Sequence, residues 1–178
     1  EKPNYPASQI SLVNPRPGLL DDQLPITNEA WYEMAKTQFH RGYLGLTGLV
    51  EYALSKIRPN ASEELLAKKS LLLGQLYLEQ SRYKDAVTLL EQWKGPRELR
   101  QYVEYNLGLA LINNGQREEG LGRLSGVGRF GAETSEQQAL KDKANLVMAY
   151  ELLKDGQGAT ARPVLKRIRV DGPYSNKA

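Results

Sequence analysis

Cysteine is absent from the 178 residues, which excludes disulfides, thiolate metal sites and a cysteine nucleophile within them. Histidine is almost absent: His40 is the only one. A lone imidazole with no second histidine is a poor metal site. His40 precedes Arg41 and Gly42, where a cationic side chain suits the terminal carbonyls of a helix. No G-x-S-x-G elbow accompanies it to support a hydrolase triad. No apolar run approaches the roughly 20 residues that cross a bilayer, so no direct membrane insertion is expected. A strong charge of either sign is also missing, the formal net charge being +3. The densest basic run, Arg162, Lys166, Arg167 and Arg169, reads as a solvated helix face. No metal, cofactor or catalytic residue is expected. The first residue is Glu1 rather than Met, read as the mark of a removed upstream segment. With the lack of cysteine, that favours an exported, periplasm-facing bacterial protein.

What is present divides into an arm and a body. Pro3, Pro6, Pro15, Pro17 and Pro25 fix φ and remove amide donors, which disfavours helix and central strand alike. Residues 1–26 are therefore expected to form an extended arm. Its apolar residues Ile10, Leu12, Val13, Leu19 and Leu20 are expected to dock partly on the body, in competition with any ligand. From residue 27 to 178 the apolar period is helical. Thr27 or Asn28 is placed to cap a first helix through Trp31, Ala35 and Phe39, ended by Gly42. A second is expected from about Tyr43 to Ile57. Asn60 with Glu63 has the spacing of a capping pair before Leu65 and Leu66. Breaks follow at Gln80–Ser81, Gly95-Pro96, Asn113-Asn114-Gly115 and Gly156. After the turn Asp171-Gly172-Pro173, Ser175 or Asn176 has the character of another helix cap. On that reading the residues are the N-terminal piece of a longer helical array.

These helices repeat. Leu73-Gly74 is followed by Tyr77, Ala86 and Leu90; Leu107-Gly108 is followed at the same offsets by Leu111, Gly120 and Leu124. A third copy is Met148-Ala149, Leu152, Ala161 and Leu165, and a weaker first copy is Tyr43, Leu46, Val50 and Ala53. Gly74 to Gly108 spans 34 residues and Gly108 to Ala149 spans 41, so seven residues are inserted between Gly126 and Lys143. Small residues at these positions let two helices of a hairpin approach closely, and the apolar residues fill the layer between hairpins, since no hairpin buries its apolar face alone.

The pattern Leu-Gly-x-x-(Tyr or Leu), then a small residue, then a large apolar one, resembles the tetratricopeptide repeat over about Trp31 to Ile168. The resemblance implies an all-α fold, an α-solenoid of about four antiparallel helix hairpins forming a superhelix. Gly120, where the family prefers Ala, and the insertion depart from its pattern. In that family the first helix of each repeat lines a concave face that meets the ligand. The corresponding positions here are Lys68 and Gln75, then Tyr102, Tyr105, Leu109 and Asn113 with Asn106 beside them, then Lys143, Leu146 and Tyr150. Tyrosines offer apolar area with a polar tip at low entropy cost, which suits protein recognition; packing against the next helix pair or the arm is the alternative use for them. Only Asn106 matches the asparagine positions of the family's carboxylate-binding members, and Leu72 stands at the matching place one repeat earlier, which argues against a carboxylate clamp.

Other motifs have plainer readings. Gly126-Val-Gly128-Arg-Phe-Gly131 satisfies G-x-G-x-x-G, but that pattern holds a dinucleotide only between a strand and a helix. Here it follows a helical segment and reads as a glycine-rich helix end. Asn60-Ala61-Ser62 is a formal glycosylation sequon, though helix capping explains it better. Lys68 and Lys143 are too few groove cations for a helical-repeat nucleic-acid binder, so no nucleic acid is expected. The expected function is a non-catalytic scaffold that binds a partner protein or peptide. The alternative is the helical accessory region of a larger enzyme.

Overall fold

The structure, a computed structural model, describes residues 26–42 and 47–175. Residues 1–25, and with them almost all of the expected arm, lie outside the described residues, as do Tyr43, Leu46 and Asn176. The described chain is all-helical: α1 (Asn28–His40), α2 (Thr47–Ser55), α3 (Glu63–Glu79), α4 (Tyr83–Glu91), α5 (Arg100–Asn113), α6 (Arg117–Val127), α7 (Ser135–Lys154) and α8 (Gly158–Leu165), with a 3-10 turn at Arg97–Leu99 before α5.

The helix starts follow from side-chain caps. The Thr27 side chain accepts from the amide of Ala30 at 3.2 Å. Thr134 and Gln137 form a reciprocal capping box at α7, satisfying two of the donors that a helix start leaves unpaired. The cap of α3 is Ser62 and not Asn60: Ser62 Oγ accepts from the amide of Leu65. Asn60 sits two residues too early to reach a first-turn amide of a helix that begins at Glu63.

Three helix ends share one geometry. The amides of Arg82, Gln116 and Gln157 donate to the carbonyls of Tyr77, Leu111 and Leu152 at 2.8, 2.8 and 2.9 Å. This bond closes only when the residue before the donor turns left-handed, and Ser81, Gly115 and Gly156 do so at φ 59°, 86° and 73°. Gly42, at φ 65°, ends α1.

Each helix packs on its chain neighbour, and α1 also meets α3, α3 meets α5 and α5 meets α7. The core follows these joints. Trp31, Ala35, Val50, Ala53, Leu54, Leu65 and Leu76 form one cluster, and Tyr32 and Phe39 of α1 and Leu73 of α3 pack against it. A second holds Ala86, Val87, Leu90, Val103, Leu107 and Leu111, and Leu71 and Leu78 of α3 pack against it. In the third, Tyr105, Leu109 and Ile112 of α5 meet Leu140, Ala144 and Met148 of α7. A fully buried leucine such as Leu111 or Leu124 stabilises the fold by about 1.5–3 kcal/mol. Counted back from the left-handed residue of each turn, Tyr32, Leu71 and Tyr105 share one place, Phe39, Leu78 and Ile112 a second, and Leu73, Leu107 and Met148 a third.

The small residues stand where close approach requires them. A Cβ at Gly74 would lie 2.6 Å from Leu90 Cδ2, and one at Gly120 would lie 2.6 Å from the Gly108 carbonyl oxygen. The segment G-x-G-x-x-G follows α6 directly: Gly126 is in its last turn and Gly128 caps it.

Candidate functional site

The odd-numbered helices carry the residues marked out by the repeat register. On α3, Lys68 and Gln75 are half-exposed. The Lys68 ammonium pairs with Glu64 one turn earlier. This hydrogen bond is the main reason its pKa is raised. The field of Lys68 also reaches Tyr32 of α1, whose phenol is raised first by burial and then by Glu33. Tyr32, Glu33, Glu64 and Lys68 thus make one mixed-charge group across α1 and α3.

On α5 the expected residues separate into two sets. Tyr102 is half-buried and Asn113 exposed, so these two present surface, whereas Leu109 is half-buried against the core shared with α7. Asn113 Nδ2 donates to the Leu109 carbonyl at 2.8 Å. Tyr105 and Asn106 turn inward, at 5% and 6% exposure. Tyr105 belongs to the core under α7, and burial raises its phenol well above the usual tyrosine range. Asn106 Nδ2 donates back to the Tyr102 carbonyl at 2.9 Å. For Tyr105 the cause is simple: it lies on the side of α5 that α7 covers, and sequence periodicity does not reveal which neighbour covers a given stripe.

Lys143 and Tyr150 of α7 are exposed, Tyr150 strongly so at 63%, and Leu146 is half-buried. The Lys143 ammonium lies 5.1 Å from the centre of the Tyr105 ring, a cation–π contact that ties the exposed edge of α7 to the buried tyrosine. Tyr102 is raised by burial and then by Glu136 at the start of α7. Beside it, a cleft of 440 Å³ opens between the starts of α5 and α7, lined by Arg97, Arg100, Gln101, Glu133 and Gln137. Tyr32, Glu33, Glu136 and this cleft had no sequence signal, because they join the surface only through contacts between helices.

α7 also contains a buried polar anchor that the sequence did not mark. Asp142 of α7 is fully buried; its carboxylate accepts from Arg169 Nε at 2.8 Å. Asn145, also fully buried, donates to the carbonyls of Gly128 and Lys141, both at 3.0 Å. The first contact holds the segment after α8 against α7, and the second holds the end of α6. No group of acidic or histidine side chains among the described residues is arranged to hold a metal ion, and no described helix is long and apolar enough to cross a membrane.

Comparison with protein-family models, with curated proteins and with solved structures finds no match to this chain.

Proposed function

We propose that the chain is a non-catalytic protein-interaction module built of stacked helical hairpins. More narrowly, its hairpins are antiparallel and of the tetratricopeptide kind, arranged as a solenoid. Two sets of contacts support the stacking. A side chain at Gly108 would meet Leu124 and one at Gly120 would meet Ile112; partners that move up one helix as they move down the other are the mark of an antiparallel pair. Three apolar positions then recur at each of the odd-helix joints, which agrees with stacked hairpins.

The observation that carries the functional reading is the line of accessible side chains on successive odd helices: Lys68 and Gln75, then Tyr102 and Asn113, then Tyr150. Tyrosine, amide and ammonium groups side by side offer apolar area with directional polar contacts, the composition that binding surfaces concentrate. The partner is a protein segment, with the mixed charge of Glu33, Lys68 and Glu136 setting its orientation. Tyr105 and Asn106 support the surface from beneath.

The test is affinity capture by the parent chain beside a Tyr102→Ala/Asn113→Ala variant verified to melt like the parent. A protein retained by the parent and weakened about tenfold or more in the variant supports the reading. Equal capture by both would sink it.

A further inference from the structure

Two clefts open at the same place on successive odd helices. One, of 680 Å³, lies between the start of α3 and the chain before α5, and is lined by Glu63, Glu64, Leu66, Lys94, Gly95 and Pro96. The other is the 440 Å³ cleft between the starts of α5 and α7. Counted back from Ser81 and Gly115, Glu63, Glu64 and Leu66 hold the places of Arg97, Glu98 and Arg100. The clefts are thus one feature of the fold, repeated with different linings.

The difference in lining favours a ligand in the second. Where the first has Lys94 and Gly95, the second has Phe130, Gly131 and Glu133. These three belong to the stretch that carries the seven extra residues, and Gly131 is the last glycine of the G-x-G-x-x-G segment. Phe130 packs partly on the core under α7 and gives the cleft an aromatic wall. Arg97, Arg100 and Gln101 stand on the α5 side with Glu98 beside them, and Glu133 and Gln137 stand on the α7 side. The side chains of Arg97, Glu98 and Glu133 are exposed, without an ion-pair or hydrogen-bond partner among the described residues. Arg100 reaches only Glu104, at 3.8 Å.

This cleft is continuous with the candidate surface. Gln101 precedes Tyr102 in α5, and Gln137 follows Glu136, whose charge acts on the Tyr102 phenol. We propose that the partner segment that meets Tyr102 runs on into this cleft, with an apolar side chain on Phe130, an acidic one toward Arg97 and Arg100, and a basic one toward Glu133. It rests on the protein-interaction reading above and adds the chemistry of the bound segment. Charges of both signs on facing walls select a mixed-charge protein segment. A nucleic-acid strand would set its phosphates against Glu98 and Glu133, and a wholly apolar segment would desolvate these charges without pairing them. The volume is that of an ordinary ligand site.

The test uses an array of random-sequence dodecapeptides probed with the labelled chain, and then the best peptide in solution by fluorescence polarisation. Retained peptides share an acidic and a basic residue around an apolar one. Gly131→Trp fills the cleft from an exposed position where an added Cβ meets nothing within 4 Å, and weakens the best peptide about tenfold or more. Glu133→Lys weakens it too, and changing the peptide's basic residue to Glu restores binding to that variant, which damage to the fold would not do. Each variant is first shown to melt like the parent. Peptides lost to Tyr102→Ala/Asn113→Ala but indifferent to both Gly131→Trp and Glu133→Lys overturn the cleft alone. Peptides lost to the cleft variants but indifferent to Tyr102→Ala/Asn113→Ala overturn the line of odd-helix residues alone. A chain that retains no peptide overturns both. Self-association abolished by Gly131→Trp would give the cleft to a second copy, and retention of a single-stranded oligonucleotide in place of peptides would give it to nucleic acid; either overturns the proposal.

Discussion

The part of the molecule from α1 to α4 and the part from α5 onward are held together by different means. The first has no fully or nearly buried polar side chain among its described residues. The second has three, Asn106, Asp142 and Asn145. The first is braced at its far end by an aromatic: Trp93 Nε1 donates to the Ala67 carbonyl at 3.0 Å while its ring packs on Gly95. The second is braced by Asn145 on the end of α6 and by Asp142 on Arg169. The change coincides with the change of spacing. From α3 to α5 the repeat is short, and small residues with leucines position the helices. From α5 to α7 the connection is longer, and a long connection constrains its ends weakly. Directional hydrogen bonds then set where α7 lies, because a misplaced buried polar group costs more than a misplaced leucine.

The largest way to break this contrast is Arg169→Met, which leaves the Asp142 carboxylate buried without its cation. A loss of about 3 kcal/mol in urea unfolding is expected, with most of it recovered in the double variant Asp142→Asn/Arg169→Met. A loss well under 1 kcal/mol would mean that the pair does not position the segment after α8.

A smaller effect sharpens the comparison at the hairpins themselves. Gly120→Ala adds a methyl against the Gly108 carbonyl and Ile112. Overpacking of this kind costs about 1–3 kcal/mol, against a gain of up to about 1 kcal/mol in helix propensity. The net expectation is a lowered melting temperature, although alanine is the residue preferred at this position in the family the repeat resembles. Ala86 already fits the equivalent place in the preceding hairpin, fully buried, so a stabilised Gly120→Ala would show that the two hairpins approach equally closely.

The smallest effect has the opposite sign. Ser81 holds φ 59° where the corresponding turns have Gly115 and Gly156. Ser81→Gly relieves the left-handed strain and gives back part of it as chain entropy. A gain of about 0.5–1 kcal/mol is expected in thermal unfolding. A loss would mean that the Ser81 hydroxyl, which lies 3.2 Å from that of Tyr83, contributes more than the strain removes.

Much of the framework was legible before any coordinates. Gly42, Gly115 and Gly156 end helices as their residue type requires, and Thr27 starts one. Gly74, Gly108 and Gly120 sit at close helix approaches. The start of α3 was misplaced because Asn60 and Ser62 both carry capping groups, and only the path of the chain selects Ser62. Of the residues marked by the repeat register, Lys68, Gln75, Tyr102, Asn113 and Tyr150 are part-exposed or exposed, while Leu109 packs against the core under α7. Tyr105 and Asn106 were not separable from them, since neighbours on one helix face look alike until a second helix covers part of that face.

The sequence by itself determined the helices, their breaks and the places where two helices come close. These depend on local quantities: apolar period, turn conformation and the room that a glycine or alanine leaves. Tertiary structure alone decided which side chains became surface, that Asp142 and Asn145 would be buried, and that Glu33 and Glu136 would stand beside Lys68 and Tyr102. Those outcomes depend on distances between residues far apart in the chain, and a desolvated carboxylate or a covered tyrosine is defined by its neighbours and not by its place in the sequence.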